Sequence, residues 1–79
     1  MRPRDDFKSD AKFEILEHYV TLSTDAKGWT LEFNKVKWED REPVLELRRW
    51  GPDHKIIGKG LTLYPNELEQ LANALETQI

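Results

Sequence analysis

The sequence predicts an α+β protein, four antiparallel strands followed by one helix, on three observations. Segments rich in β-branched and aromatic residues recur from Lys12 to Leu63, separated by short clusters containing Gly, Pro and Asp. After Tyr64 the apolar period changes to three and four, so that Leu68, Leu71, Ala72, Leu75 and Ile79 share one helical face. The chain has 79 residues, which bounds it to one domain burying roughly 60% of the surface its unfolded chain exposes.

Residues 1–11 mix charged and small polar side chains around Phe7 and are expected to form a flexible N-terminal arm, leaving 12–79 as the folded domain. The first predicted strand, "KFEILEHYVTLS", has the composition of a strand, but its two faces are not cleanly separated, and it ends in the turn signal "TDAKG". The second, "WTLEFNKVKWED", alternates well. Trp29, Leu31, Phe33, Lys35 and Lys37 fall on one face, and Thr30, Glu32, Asn34, Val36 and Trp38 on the other. Pro43 cannot donate to a ladder and opens the third strand, "VLELRRW", which sets Leu45, Leu47 and Arg49 against Val44, Glu46, Arg48 and Trp50. "GPDH" is a turn, and "KIIGKGLTL" returns as the fourth strand. Two helix starts compete: Pro65 at the first helical position with Tyr64 as a poor cap, or Asn66 with Glu69 as a capping box.

The chain is 38% hydrophobic and 34% charged and has no cysteine, so neither a disulfide nor a thiolate metal site can supplement a thin core. A second copy of the chain is the expected supplement, giving a homodimer. No apolar run approaches the ~20 residues of a spanning helix, and the start "MRPRDDFKSDAK" lacks the hydrophobic segment of a signal peptide. A soluble, cytoplasmic protein is expected, associated with the nucleoid if the source is bacterial. The net charge of −3 hides an uneven distribution: −2 over residues 1–26, +2 over 27–59 and −3 over 60–79. The cations collect in the middle of the chain.

"GKG" beside basic residues suggests a phosphate loop, but its glycines alternate inside a strand, the hydroxyl residue is misplaced and the helix opens several residues later. Glycines so placed mark a bulge or the close approach of another backbone. His18 and His54 lie in different elements without helical pairing or cysteine, and no serine or threonine sits in a glycine-flanked elbow. No catalytic residue, metal ligand or cofactor is therefore expected. What remains is an alternation of cations and flat rings: Lys27, Trp29, Lys35, Lys37, Trp38, Arg48, Trp50, His54, Lys55 and Lys59, with Arg49 among them. Lys and Arg neutralise phosphates while unpaired bases stack on aromatic rings, so the pattern points to single-stranded DNA, with RNA as a second ligand. Trp29 shares its face with Leu31 and Phe33 and is the tryptophan best suited to a core, whereas Trp38 and Trp50 are the better stacking candidates. The alternative is a protein-interaction module whose aromatic-basic sheet docks an acidic or extended peptide.

The ordered set "FEI" at 13–15, "AKGW" at 26–29, "EFNKVKW" at 32–38, "EP" at 42–43, "LRRWGPDH" at 47–54 and "GKGLTL" at 58–63, followed by a helix, resembles the positive cofactor four family of transcriptional coactivators, in particular its YdbC-like bacterial branch. The resemblance spans 12–75. It implies a homodimer of strongly curved four-stranded sheets whose C-terminal helices meet at the two-fold axis and which binds single-stranded DNA, and often RNA, with little sequence preference. By position, Arg48 matches the family's arginine near the end of its third strand, Trp50 the aromatic two residues beyond it, Trp38 an aromatic at the end of the second strand and Lys59 the lysine beside the fourth-strand glycines, while Lys27, Lys35 and Lys37 match more loosely the basic character of the second strand. The long serine- and lysine-rich regulatory arm of eukaryotic members has no counterpart, and Tyr64 stands where many relatives carry a Ser or Asn cap.

Overall fold

The computed structural model describes residues 7–8 and 12–78. It is an α+β fold: β2 (Phe13–Thr24), β3 (Thr30–Trp38), β4 (Val44–Trp50) and β5 (Ile56–Leu63) form consecutive antiparallel hairpins, followed by α1 (Pro65–Gln78). These are the expected strands, displaced by no more than a residue or two at their ends. A two-residue strand, β1 (Phe7–Lys8), is added at the β5 edge, with Phe7 opposite Ile57 and Lys8 opposite Ile56, so the sheet order is β1-β5-β4-β3-β2. Apart from that pairing, the expected arm over 1–11 lies outside the described residues, as does Ile79. No helix among the described residues is long and apolar enough to cross a membrane.

The blurred alternation of the first predicted strand has a structural cause. β2 uses 12 residues against the 9 of β3, and the surplus is absorbed in three irregularities, between Ile15 and Glu17, His18 and Val20, and Thr21 and Ser23. The extra residues are Leu16, Tyr19 and Leu22, which are 40%, 45% and 55% exposed. Each bulge bends its strand and increases the right-handed twist. Three of them at a spacing of three turn a period-two pattern into a period-three one along this edge.

Register divides the sheet into two faces. Thr30 opposite Trp50, Glu32 opposite Arg48, Asn34 opposite Glu46 and Val36 opposite Val44 define an inner face. Leu31 opposite Arg49, Phe33 opposite Leu47 and Lys35 opposite Leu45 define an outer one, continued on β5 by Leu61 and Leu63. The core lies on the inner face: Val36, Trp50 and Ile57 are 0%, 0% and 2% exposed, with Phe13, Ile15 and Trp38 packed against them. The leucine-rich outer face stays half-buried or exposed, and α1 buries none of its residues.

α1 begins at Pro65. Glu67 Oε1 accepts the Tyr64 N–H at 2.9 Å and the Leu68 N–H donates to the Tyr64 carbonyl at 2.9 Å, so Glu67 supplies the carboxylate half of a capping box around Tyr64. The alternative start at Asn66 with Glu69 is not the one formed.

The glycines of "GKG" are fixed by what crosses them. β5 carries an irregularity opposite the step from Arg48 to Trp50. A Cβ on Gly58 would lie 2.7 Å from the Arg49 carbonyl oxygen and 2.9 Å from Cζ3 of Trp29, and one on Gly60 would run into the Arg48 guanidinium, 2.7 Å from Nε. These are close approaches rather than a phosphate cradle. Gly58→Ala and Gly60→Ala are each expected to lower stability by about 2 kcal/mol, the first because the obstructing atom is backbone and the second because the guanidinium in the way is held by Glu46 and the Gly58 carbonyl. Thermal denaturation of the two variants checks both losses.

Candidate nucleic-acid interface

The inner face is organised by two buried carboxylates. Glu46, 2% exposed, accepts hydrogen bonds from Arg48 Nε at 2.7 Å, Arg48 Nη2 at 3.2 Å and Trp38 Nε1 at 3.0 Å. Arg48 Nη1 donates to the Gly58 carbonyl at 2.7 Å, and the guanidinium lies 4.7 Å from the centre of the Trp38 ring. Trp38 is in turn parallel to Trp50, 6.2 Å between ring centres and 5° between planes, and Phe13 packs on both at 5.6 and 4.9 Å. Alternation brings Glu46, Arg48 and Trp50 to one face, and Gly60 leaves the room through which Arg48 passes. Trp50 is fully enclosed, its Nε1–H without an acceptor, and has no ring face open to a base. Trp50, one of the two tryptophans expected to stack, is thus the centre of the core, and Trp38, the other, forms its polar lid with Arg48.

The second carboxylate, Glu32, is 4% exposed. It accepts from Thr30 Oγ1 at 2.7 Å, Asn34 Nδ2 at 3.0 Å and His54 Nε2 at 3.0 and 3.2 Å. With its proton on Nδ1, His18 donates to Asn34 Oδ1 at 2.6 Å and accepts from the Thr21 hydroxyl at 3.1 Å through Nε2. His54 reaches Glu32 from a 3-10 turn, Pro52–His54, in which Asp53 and His54 both have left-handed backbones, φ 58° and 59°. Such conformations are tolerated by Asp and His but need support, which Glu32 and the Trp50 ring, 5.0 Å from the imidazole, supply. Burial pushes the Glu32 carboxyl up, but the hydrogen bonds from Asn34, Thr30 and His54, with the charge of His54, outweigh it and hold the group below its ordinary 4.5.

The exposed cations gather elsewhere, at one end of the sheet. In the β2–β3 turn, Asp25 Oδ1 accepts the N–H groups of Lys27 and Trp29, each at 2.9 Å, and Gly28 adopts φ 89°. A Cβ on Gly28 would stand 3.3 Å from Pro52, so this turn rests against the 51–55 turn. The Trp29 ring lies against Gly58, and Arg49 stands opposite Leu31 on the neighbouring strand. Lys27, Arg49, Lys55 and Lys59, all exposed, therefore stand in or beside the segments that meet at the half-buried Trp29, with Asp25 and Asp53 in the same two turns. Lys35 and Lys37 stand further along the outer face, Lys35 Nζ 3.9 Å from Glu17 Oε1 and Lys37 Nζ donating to the Glu39 carbonyl at 2.8 Å.

The sequence-derived residues thus separate into three groups. Trp38, Arg48, Trp50 and His54 belong to the inner-face network, Lys35 and Lys37 to the outer face, and Lys27, Trp29, Lys55 and Lys59, joined by Arg49, to the cationic end. Glu32, Asn34 and Glu46 were not singled out as site residues. Their signal was present, since each is a polar residue on the strand face that also carries Val36 and Trp38 or Val44 and Trp50. Among the described residues no cluster of three or more His, Cys, Asp or Glu is disposed to hold a metal ion.

Fold and site define a small α+β protein with a salt-bridged aromatic inner face, an apolar outer face and one cationic end. No family model matches the chain. It is 35% identical over 68 residues to an uncharacterized protein of Treponema pallidum (strain Nichols), a match covering 86% of this chain and 80% of that protein. The chain belongs to the same family as that protein.

Two outcomes follow from the buried carboxylates. Arg48→Ala leaves Glu46 buried without its cation and is expected to cost about 3 kcal/mol in chemical denaturation. Because the folded state holds Glu32 below 4.5, its contribution is complete above that value and lost as pH falls through the depressed value. Denaturation midpoints measured from neutral pH down to about pH 3 should show a steeper acid limb for the natural chain than for Glu32→Gln.

Proposed function

We propose that the protein is a non-catalytic, homodimeric, sequence-tolerant binder of single-stranded DNA, and of RNA, acting in transcription regulation or DNA maintenance. The observation that carries the proposal is that exposed Lys27, Arg49, Lys55 and Lys59 stand in or beside the turns and strand segments that meet at Trp29. Cations beside an accessible ring suit a flexible chain of phosphates with unpaired bases, where stacking contributes roughly 1–3 kcal/mol per base with little regard to sequence. Trp29 takes the stacking role, and Trp38, Arg48 and Trp50 build the scaffold behind it. The resemblance to the positive cofactor four family supports the same ligand.

The apolar surface left open supports a second copy. Leu61, Tyr64, Leu71 and Leu75 are 62%, 60%, 42% and 51% exposed, on an outer face and a helix that do not cover one another. Exposed apolar side chains of this kind mark an association site. Pairing through α1 and the outer leucines buries it and sets two cationic ends in one particle.

Fluorescence anisotropy of labelled oligo-dT should report binding that an equal-length duplex does not match, with quenching of tryptophan emission. Lys59→Ala should lower the slope of log K against log salt by about 0.7, the value for one phosphate contact to a single strand. Arg48→Ala should leave that slope unchanged. Absence of quenching at low salt favours an acidic or extended peptide as ligand instead. Light scattering should give the mass of a dimer, reduced to that of a monomer by Leu71→Asp with Leu75→Asp; a monomeric natural chain contradicts the pairing.

A further inference from the structure

We propose that the chain leading into β1 is a built-in competitor for the phosphate-binding end, in which Asp5 and Asp6, tethered beside Lys59, weaken its hold on a single strand. The inference rests on the nucleic-acid reading above and concerns its regulation.

The observation is the placement of β1. It pairs with β5 at Ile56 and Ile57, the two residues that separate Lys55 from the segment Gly58 to Gly60. The pairing is antiparallel, with Lys8 opposite Ile56 and Phe7 opposite Ile57, so the chain before Phe7 approaches from the side of Gly58 and Lys59. The two residues before Phe7 are Asp6 and Asp5, and Lys59 is two residues beyond Ile57. Paired strands lie about 4.8 Å apart and two residues of chain span at most about 7 Å, so both carboxylates are tied to the neighbourhood of Lys59 by the shortest of linkers. A group tethered in this way competes at an effective concentration of the millimolar order.

The order of the charges decides the sign of the effect. Residues 1–11 carry three cations, Arg2, Arg4 and Lys8, and three carboxylates, Asp5, Asp6 and Asp10, so the segment as a whole is neutral. Asp5 and Asp6 are adjacent and lie next to the anchor, whereas Arg4 and Arg2 stand three and five residues from Phe7. The charge held closest to Lys59 is therefore negative. A pairing of two residues is a weak anchor, which a run of phosphates engaging Lys55 and Lys59 can displace. The acidic pair thereby raises the number of phosphates a ligand must offer before it is retained.

The test uses the full chain and labelled oligo-dT at about 50 and about 200 mM salt. Asp5→Asn with Asp6→Asn should tighten binding about threefold for each charge removed at the lower salt, and by less at the higher. In a Lys59→Ala background the same pair of changes should yield a smaller gain, because the group they release is gone. Four Gly and Ser residues inserted between Asp6 and Phe7 keep the net charge but loosen the tether, and should recover part of the gain; circular dichroism confirms that each variant is folded. Binding that is unchanged or weakened by the two asparagines, or a gain equal with and without Lys59, overturns the proposal while leaving the nucleic-acid reading intact. Absence of binding by the folded natural chain and by the asparagine variant alike overturns that reading and this inference with it.

Discussion

The burial of Glu46 under Arg48 is the interaction on which the rest of the structure depends. A carboxylate taken out of water on the inner face of a small sheet needs a cation and further donors, and here it has the guanidinium and the Trp38 indole. Arg48 stands two residues from it on the same face of β4, and its guanidinium lies over Gly60 of β5, where a Cβ would meet it. Its other end is tied to the Gly58 carbonyl, inside the irregularity of β5. Trp38 is thereby pinned, Trp50 is enclosed behind it, and the aromatic layer of the inner face becomes a core rather than a binding platform.

That arrangement decides what each remaining surface can do. With the inner face spent on Val36, Trp50 and Ile57, Leu61 of β5 and Leu71 and Leu75 of α1 stay exposed among the described residues. Exposed apolar side chains of this kind mark an association site, which is why pairing and ligand binding are parts of one proposal. Arg48 is spent on the inner face and Lys35 and Lys37 lie along the outer one, while Lys27 and Lys55 stand where two turns meet at the end of the sheet. There Asp25 caps the first turn through the Lys27 and Trp29 amides and Glu32 holds the second through His54.

Most of the fold was legible because the strands and helix are separated by turn residues and by a change of period. "TDAKG", Pro43 and "GPDH" fall at the strand ends, and the shift at Tyr64 falls at the helix start. The two-residue β1 was not legible, since pairing of Phe7 and Lys8 with Ile57 and Ile56 is a long-range matter. The bulges of β2 appeared only as a failure of alternation, because Leu16, Tyr19 and Leu22 each insert one residue. The site was less legible than the fold. Alternation assigned the faces of β3 correctly, but hydrophobicity favoured the Leu31–Phe33 face as the core, whereas the core formed on the face of Glu32 and Asn34. A sequence does not announce that its carboxylates will be paired and buried, so Trp38 and Trp50 looked better placed to stack than Trp29.

The claim that the Trp29 end, rather than the Trp38–Trp50 layer, meets a single strand is open to one direct measurement. The chain has three indole N–H groups, each a separate signal in a nitrogen-15 correlation spectrum. On titration with oligo-dT the Trp29 indole and the amides of Lys27, Arg49, Lys55 and Lys59 should shift together while the Trp50 indole stays in place. Shifts confined to the Trp38 and Trp50 indoles, with Trp29 unmoved, would contradict the account.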